Sequence, residues 1–452
     1  MGVRADGEGT PARLPHGPHQ LSAEEVSANQ RTRLIDALVE LVGLQGYTGT
    51  SVTDVLERAG ISRRSFYELF SNRAQLLKAA FEVSAASILE RVEASSERSG
   101  AGGARQLEAL MRPLCSSAQE EPGTIALWSV EIAADPDGYR LRDGLMNRYA
   151  ELIQGALGTN GHPPMRRSLA ATLAGAMHRT IDATMRDTRA DVLPDLPSLL
   201  ARWASSYHPL PADLELAPAR PWRSIEPDGL IGGRAPGTLT SAPEAYVPRI
   251  GKSSSGFRAH ANRERILDAV AQITAESGFA ALGGQAILAR AKVPENVFRG
   301  EFKNARGAFV AALELGHMKG QAVVERTRAE TSSWSEGVRY AVHGLLEFFA
   351  SEPCFTRLAF IDAPLAWPMT AARANEQATI YARLMFEGAP QRRRPGPIAD
   401  VAITHGLIEL AYRYAATNRV GELPRAAAEA TYLALAPFIG VDEAAETAAA
   451  PL

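Results

Sequence analysis

The chain has 452 residues, of which 46% are hydrophobic, and a formal net charge of −3 at pH 7. This length predicts two to four domains, and the small net charge means that a surface for nucleic acid must be local. The two cysteines, Cys115 and Cys354, exclude a disulfide framework and suit a reducing compartment. No run of about 18 apolar residues and no apolar signal segment occur, so we expect a cytoplasmic protein without membrane contact.

Helices dominate the predicted elements from the N-terminus onward. Residues 1–26 include a Pro- and Gly-rich stretch and are predicted to be a disordered tail. Apolar residues then recur at helical spacing over 30–44, and Gly46 follows at the position of a helix end. Strand signals are scarce throughout, whereas Ala, Leu, Arg and Glu recur with a helical period. The predicted fold class is therefore all-α.

Two short helices follow Gly46. Ser51 with Asp54 resembles a capping box for a helix that runs to Ala59. Gly60 then provides a tight turn, and Ser62 caps a third helix over 63–70. Two short helices joined by a turn with glycine have the spacing of a helix-turn-helix motif.

The third helix carries a polar edge near its N-terminus, formed by Arg63, Arg64, Ser65 and Tyr67. In a helix-turn-helix, this part of the helix contacts base edges, and arginine reads guanine through two hydrogen bonds. The alternative is a solvated basic edge on a purely structural helix. The capped context of three helices favours DNA binding.

The stretch "GYTGTSVTDVLERAGISRRSFYELFSNRAQLL" resembles the DNA-binding domain of TetR-type transcriptional regulators. The resemblance implies three N-terminal helices for double-stranded DNA, followed by a larger helical domain for ligand binding and dimerisation. It places Arg63 and Arg64 against bases, and Thr50, Ser51, Tyr67 and Arg73 near phosphates. The predicted DNA-binding residues of this first unit are Thr50, Ser51, Arg63, Arg64, Ser65, Tyr67 and Arg73.

The same pattern occurs a second time. "RLIDALVELVGLQGYTGTSVTDVLERAGISRRSFYELFSNRAQLL" from Arg33 aligns without a gap to "RILDAVAQITAESGFAALGGQAILARAKVPENVFRGEFKNARGAF" from Arg265. Weaker similarity continues downstream with the register shifted by one position, and it pairs Gly175 with Gly406. We therefore predict two TetR-like units fused in tandem. The predicted divisions are a tail (1–26), a helix-turn-helix domain (27–78), a helical regulatory domain (79–206), a Pro- and Gly-rich linker (207–257), a divergent helix-turn-helix-like domain (258–310) and a second regulatory domain (311–442).

The second unit loses much of the polar signature. Lys292 replaces Gly60 at the turn, and Pro294 replaces the cap Ser62. Two interpretations stay open: the second unit reads a different half-site, or it is a structural remnant with weakened binding. For the first, Asn296 suits adenine and Glu295 suits cytosine. The candidate residues are Glu295, Asn296, Arg299 and Lys303.

The resemblance further implies a four-helix dimer interface, here over 167–186, 197–206, 399–417 and 426–438, with Gly175 and Gly406 permitting close approach. The units would pair within one chain as a pseudo-dimer or between chains as a homodimer. A small apolar ligand is also implied. The candidates for its pocket are aromatic, His and Met residues, although residues of these types more often belong to the hydrophobic core. They are Trp128, Tyr139, Tyr149, Met177, His178, Trp334, His343, Phe360, Trp367, Tyr381 and His405.

No catalytic motif, metal-ligand set or cofactor loop stands out, so we predict neither an enzyme nor a bound cofactor or metal. His16 and His19 lack further ligands at metal-binding spacing. The predicted function is a DNA-binding transcriptional regulator, a repressor released by a small molecule. The alternative is an interaction or sensor protein whose second unit binds a partner or ligand rather than DNA.

Overall fold

The computed structural model describes residues 22–100, 102–135, 137–158, 165–186, 194–207, 255–390 and 396–450. Within these ranges the chain forms twenty α-helices and no strand, which confirms the all-α prediction. We call 22–207 the first half and 255–450 the second half. The helices are α1 (Ala23–Gly49), α2 (Val52–Ala59), α3 (Arg63–Leu69), α4 (Arg73–Ser99), α5 (Ala104–Glu120), α6 (Pro122–Ser129), α7 (Gly138–Leu157), α8 (Arg167–Arg186), α9 (Leu196–Ser205), α10 (Ser255–Ser277), α11 (Gly284–Ala291), α12 (Glu295–Glu301), α13 (Ala305–Ala329), α14 (Trp334–Ser351), α15 (Pro353–Arg357), α16 (Ala363–Ala366), α17 (Pro368–Phe386), α18 (Ala399–Ala416), α19 (Ala427–Ile439) and α20 (Val441–Ala449).

Helix α1 begins earlier than the tail prediction allowed. The Ser22 hydroxyl accepts a hydrogen bond from the Glu25 N–H at 3.1 Å, and the Glu25 carboxylate accepts one from the Ser22 N–H at 2.7 Å. This capping box starts the helix at Ala23, and the rest of the predicted tail, residues 1–21, lies outside the described residues. Gly46, at φ 74°, interrupts the helix where the sequence predicted its end.

The two halves meet where α8 packs against α18. A Cβ atom at Gly175 would lie 2.4 Å from Cδ of Glu409, and one at Gly406 would lie 2.9 Å from Cδ2 of Leu433. Gly175 therefore leaves room for Glu409 of the other half, whereas Gly406 lies against the side-chain end of Leu433 in its own half. Helices α8, α9, α18 and α19 begin and end within one residue of the four segments predicted for this role.

Buried side chains extend two of the folded segments past their predicted ends. Tyr207, assigned to the linker, is fully buried and donates a hydrogen bond to the Leu433 carbonyl oxygen at 2.8 Å. Helix α20 continues to Ala449, past the predicted end at 442, because Ala444 and Ala448 are buried on its inner face. Helix α10 begins at Ser255, and 208–254 of the predicted linker lies outside the described residues.

A buried ion triad crosses the junction between the halves. Both guanidinium Nη atoms of Arg142 donate to the carboxylate of Glu409, at 2.6 and 2.8 Å, and Nε of Arg179 donates to the same carboxylate at 2.8 Å. The side chains of Arg142 and Glu409 are each 1% exposed, and the guanidiniums lie 4.8 and 5.0 Å from the centre of the Tyr412 ring. Burial alone would raise the pKa of Glu409, but the two arginines outweigh burial and lower it to about 2. The carboxylate is therefore charged and fully paired.

Candidate nucleic-acid interface and regulatory cavity

The predicted caps and turn of the first helix-turn-helix are present. The Ser51 hydroxyl accepts from the Asp54 N–H at 3.2 Å, and the Asp54 carboxylate accepts from the Ser51 N–H at 2.7 Å. Gly60 ends α2 in the left-handed region at φ 62°, ψ 41°. The Ser62 hydroxyl then accepts from the Ser65 N–H at 3.1 Å and starts α3. Local side chains therefore fix both helices of the motif.

Buried aromatic rings hold α3 against the rest of the unit. Phe66 and Phe70 are buried with ring centres 6.0 Å apart, and the Arg31 guanidinium lies 4.8 Å from the Phe70 ring centre. The Arg33 guanidinium donates to the Ala59 carbonyl oxygen and ties α1 to the end of α2. These contacts orient the opposite, polar edge of α3 toward solvent.

Arg63, Arg64 and Tyr67 lie on that exposed edge. The Arg64 side chain is 90% exposed, and its Nε donates to the Glu68 carboxylate at 2.9 Å. Arg63 donates to the Thr53 hydroxyl at 3.2 Å, and the half-exposed Tyr67 ring packs edge-on against Phe66. An exposed ion pair contributes only about 0–1 kcal/mol, so Arg64 can exchange its partner for a base or phosphate at little cost.

The serine hydroxyls and Thr53 belong to the same surface. Ser51 is exposed while it caps α2, and Ser65 is half-buried with its hydroxyl 2.9 Å from that of Ser62. Sequence reasoning missed Thr53, which is exposed and lies next to Arg63. Its place shortly after the Ser51 cap is the signal in the sequence that could have identified it.

Thr50 and Arg73 differ from the prediction that they touch phosphates. Thr50 is fully buried, and its hydroxyl donates to the Gly46 carbonyl oxygen at 2.8 Å. Arg73 turns inward, donates to the carbonyl oxygens of Tyr47 and Thr50, and stacks 4.2 Å from the centre of the Tyr47 ring. Both side chains close the break in α1, where backbone carbonyls need donors. We therefore assign them a structural role.

The second unit follows the same backbone path with different side chains. Dihedral angles at the corresponding helix boundaries nearly coincide. The pairs are Gly46 (74°, 160°) with Gly278 (74°, 162°), Gly60 (62°, 41°) with Lys292 (52°, 46°), Ser62 (−70°, 151°) with Pro294 (−66°, 153°), and Asn72 (−163°, 174°) with Asn304 (−163°, 175°).

The exposed edge of α12 carries less positive charge than the exposed edge of α3. Arg299 donates to the Glu295 carboxylate at 2.7 Å, and both side chains are largely exposed. Asn296 and Lys303 are also exposed. Neither α11 nor α12, both within the described ranges, starts with a side-chain cap, and Lys292 holds the left-handed turn at a cost of about 1 kcal/mol relative to glycine.

A buried carboxylate joins each three-helix unit to the helices that follow it. The Glu131 carboxylate accepts from the Tyr47 N–H at 3.1 Å, and the Asp362 carboxylate accepts from the Phe279 N–H at 3.3 Å. Burial raises the pKa of both carboxyls to about 7, opposed by Arg186 near Glu131 and by Arg357 near Asp362. Sequence reasoning missed these two acids, although they correspond to each other in the same register that pairs the two interface glycines.

An apolar cavity of about 90 Å³ lies in the second half, with part of its wall from α8. Three predicted pocket residues line it, namely Phe360, Tyr381 and His405. The first-half candidates pack differently: the His178 and Tyr149 ring centres are 4.7 Å apart, and burial lowers the pKa of His178 to about 3. In the second half, Trp334 packs against Phe438 and Trp367 against Phe309.

In the part of the chain that the structure describes, no cluster of His, Cys, Asp and Glu suits a metal ion. None of the described helices is long and apolar enough to cross a membrane.

Comparison with known proteins gives a match to the N-terminal domain of the family described as bacterial regulatory proteins, tetR family, over residues 34–80. No curated protein sequence is significantly similar to the chain. Among solved structures, the fatty acid degradation regulator FadR from Bacillus halodurans is 16% identical, with 41% of this chain and 96% of that chain covered and a TM-score of 0.36. FadR from Bacillus subtilis, solved in complex with stearoyl-CoA, is 17% identical, with 37% and 96% covered and a TM-score of 0.33. The family match spans α2 and α3 with their caps, and it supports a DNA-binding transcriptional regulator of the TetR type.

Proposed function

We propose that this chain is a cytoplasmic repressor that binds double-stranded DNA mainly through its first unit and is released by a small apolar ligand. The observation that carries the proposal is the exposed edge of Arg63, Arg64 and Tyr67 on a capped helix, inside the segment that matches the tetR family. Arginines at the start of the second helix of such a motif are placed to reach base edges in the major groove.

We further propose that the chain is two fused units that pair as an intramolecular pseudo-dimer. The matching backbone angles at four helix boundaries support the duplication. The packing of α8 on α18 and the triad of Arg142, Arg179 and Glu409 support pairing within one chain. Two chains pairing as a homodimer through their first halves would lack this triad, since His178 occupies the position that corresponds to Glu409 there.

The second unit is proposed to bind DNA weakly or with altered preference. The Arg299 charge is offset by Glu295 one turn away, and Glu295 would face phosphates unfavourably. Binding by unlike units predicts an asymmetric operator. The competing function, a sensor or interaction module in the second half, is favoured by the cavity there, which is lined mainly by α14, α17 and α18.

The test is DNA binding by the intact chain to fragments from around its own gene, measured across salt concentrations. Four proteins are compared: wild type, Arg64→Ala with Tyr67→Ala, Asn296→Ala with Arg299→Ala, and the control Arg98→Ala on the exposed end of α4. With about six phosphate contacts, the log–log salt slope of wild type should be near −5. Loss of one base-reading arginine costs about 1–3 kcal/mol, so the first double variant should weaken binding about fivefold or more.

The DNA affinities of the variants distinguish the possible functions of the two units. Loss with the first-unit variant alone supports a first-unit reader, and loss with both supports a reader of two unlike half-sites. Absence of salt-sensitive binding by wild type would overturn the repressor proposal and favour the sensor module. Equal loss with Arg98→Ala would mean that the charge of the chain, and not the motif, accounts for binding.

A further inference from the structure

A polar groove of about 270 Å³ lies where the start of α8 meets the end of α18. Its wall is drawn from both halves of the chain. Among the described residues, four arginines line it against one carboxyl group, that of Glu429. In a chain with a net charge of −3, such a concentration of positive charge is a local feature. We call it the arginine groove, and its arginines are Arg166, Arg413, Arg419 and Arg425.

Two of these arginines hold ion pairs at the surface. Arg419 and Arg425 donate to the partly exposed carboxylate of Glu422 at 2.8 and 2.9 Å. Ion pairs at the surface contribute only about 0–1 kcal/mol, so a multivalent anion can replace them. Arg413 and Tyr139 line the same groove, and the charge of Arg413 opposes the burial that raises the pKa of the Tyr139 hydroxyl.

The carboxyl group of the groove, that of Glu429, is held at one oxygen, and its other oxygen is buried. Oε2 of Glu429 accepts from the Ser168 hydroxyl at 2.9 Å, while its buried Oε1 accepts no hydrogen bond within 3.5 Å from the described residues. Burial raises the pKa of this carboxyl, against the opposing effects of Ser168, Arg413, Arg166 and Thr172.

The corresponding groove on the other side of the junction lacks this chemistry. It lies where the end of α8 meets the start of α18, encloses about 410 Å³, and its described lining carries one arginine, Arg186, and one glutamate, Glu376. In the register that pairs the two interface glycines, Pro397 corresponds to Arg166 and Asp182 to Arg413. The same fold therefore forms both grooves, and packing does not require the arginines.

The geometry points to a binding site in the arginine groove for a small multivalent oxyanion, specifically two linked phosphoryl groups. Each guanidinium can donate two parallel hydrogen bonds to phosphate oxygens. A set of four guanidiniums therefore suits two linked phosphoryl groups better than a single phosphate. The aromatic rings of Tyr139 and Tyr414 form part of the wall and leave room for an attached group. Because the wall comes from both halves, the bound anion would stabilise their pairing.

The experiment is calorimetric titration of the full chain, without DNA, with inorganic pyrophosphate, orthophosphate and adenosine diphosphate at constant ionic strength. Pyrophosphate should bind at least tenfold more tightly than orthophosphate, and wild type should melt at a higher temperature in its presence. Arg413→Ala with Arg425→Ala should weaken pyrophosphate binding at least tenfold, because two of four guanidiniums are removed. Arg98→Ala should leave it unchanged. Tighter binding of adenosine diphosphate than of pyrophosphate would identify a nucleotide as the source of the phosphoryl groups.

Three results would overturn the site. These are no heat with millimolar pyrophosphate, equal affinity in the Arg413→Ala, Arg425→Ala variant, or equal affinity for pyrophosphate and orthophosphate. The variant is checked for folding by its melting curve without ligand, and Glu429→Gln, which removes the one carboxyl group of the groove, should bind pyrophosphate at least as tightly as wild type. Since no DNA is present, failure here leaves the DNA-binding proposal untouched.

Discussion

The two three-helix units show how one backbone carries two surfaces. Phe66 and Phe298 are buried at matching positions, and the turn angles at Gly60 and Lys292 nearly coincide. The outer edge differs, with adjacent arginines after Ser62 in the first unit and a paired Glu295 in the second. Buried contacts preserve the path of the chain, whereas exposed residues diverge with little effect on folding. Substitutions at buried positions should therefore change stability more than substitutions at exposed ones.

The largest effect is expected at the junction that joins the two halves. Glu409→Gln leaves Arg142 and Arg179 buried without a carboxylate, which should lower the free energy of unfolding by about 3–5 kcal/mol. Urea unfolding measures this loss. The matched control is Glu422→Gln, which also removes a carboxylate between two arginines, but at the surface, and should cost less than about 1 kcal/mol. Similar losses in the two variants would refute the role of the buried triad.

The pH dependence of stability should reveal the two buried acids that join each unit to its body. Since Glu131 and Asp362 have pKa values of about 7 in the folded chain, well above their ordinary values, the folded state retains protons that the unfolded state has lost. Their contribution is complete below about pH 4 and is lost as the pH rises toward 7, by at most about 1.4 kcal/mol per pH unit and group.

Glu131→Gln and Asp362→Asn should each flatten this decline, and the pair of variants compares the two halves directly. Urea unfolding at pH 5, 6, 7 and 8 gives the slopes. Glu97→Gln, on an exposed face of α4, serves as a control and should keep the slope of wild type. Unchanged slopes in both test variants would mean that these carboxyls titrate in the folded chain as they do in the unfolded one.

Sequence reasoning succeeded where the cause of the structure is local. The cap at Ser62 and the left-handed turn at Gly60 depend on residues within one helical turn, so their pattern was sufficient. The inward contacts of Thr50 and Arg73 could not be predicted in this way, because their side chains satisfy carbonyl groups freed by the break in α1. The partners of Glu409 come from the other half of the chain, and only the packing of α8 on α18 reveals them.

The turn between the helices allows a reciprocal exchange. Gly60→Ala places a side chain in the left-handed region and should destabilise the chain by about 1 kcal/mol, while Lys292→Gly should stabilise it by a similar amount. Thermal unfolding of both variants measures the difference. A matched control is Gly300→Ala in α12, where nothing lies within 4 Å of the added Cβ atom and helix propensity alone predicts a gain. Opposite signs at Gly60 and Lys292 would show that the shared angle, and not the residue type, sets the energy.

The smallest effect concerns the caps of α3 and α12. Ser62→Ala removes the acceptor of the Ser65 N–H and should cost about 1 kcal/mol. Pro294→Ser restores an acceptor at the start of α12, but the unfolded chain also gains freedom when the proline ring is lost, so the net gain should stay below about 1 kcal/mol. Amide hydrogen exchange measures the local stability of the first turn of α3 and of α12 separately.

Faster exchange in α3 of Ser62→Ala and slower exchange in α12 of Pro294→Ser would show that the cap decides how firmly the first turn of each helix is held. The DNA affinity of Ser62→Ala should then fall a few-fold, although no residue of the exposed edge has changed, because Arg63 and Arg64 lie in the loosened turn. If exchange in α3 stays at its wild-type rate, packing of Phe66 alone orders the helix. The missing cap would then not explain a weaker second unit, and its charges, Glu295 above all, would have to.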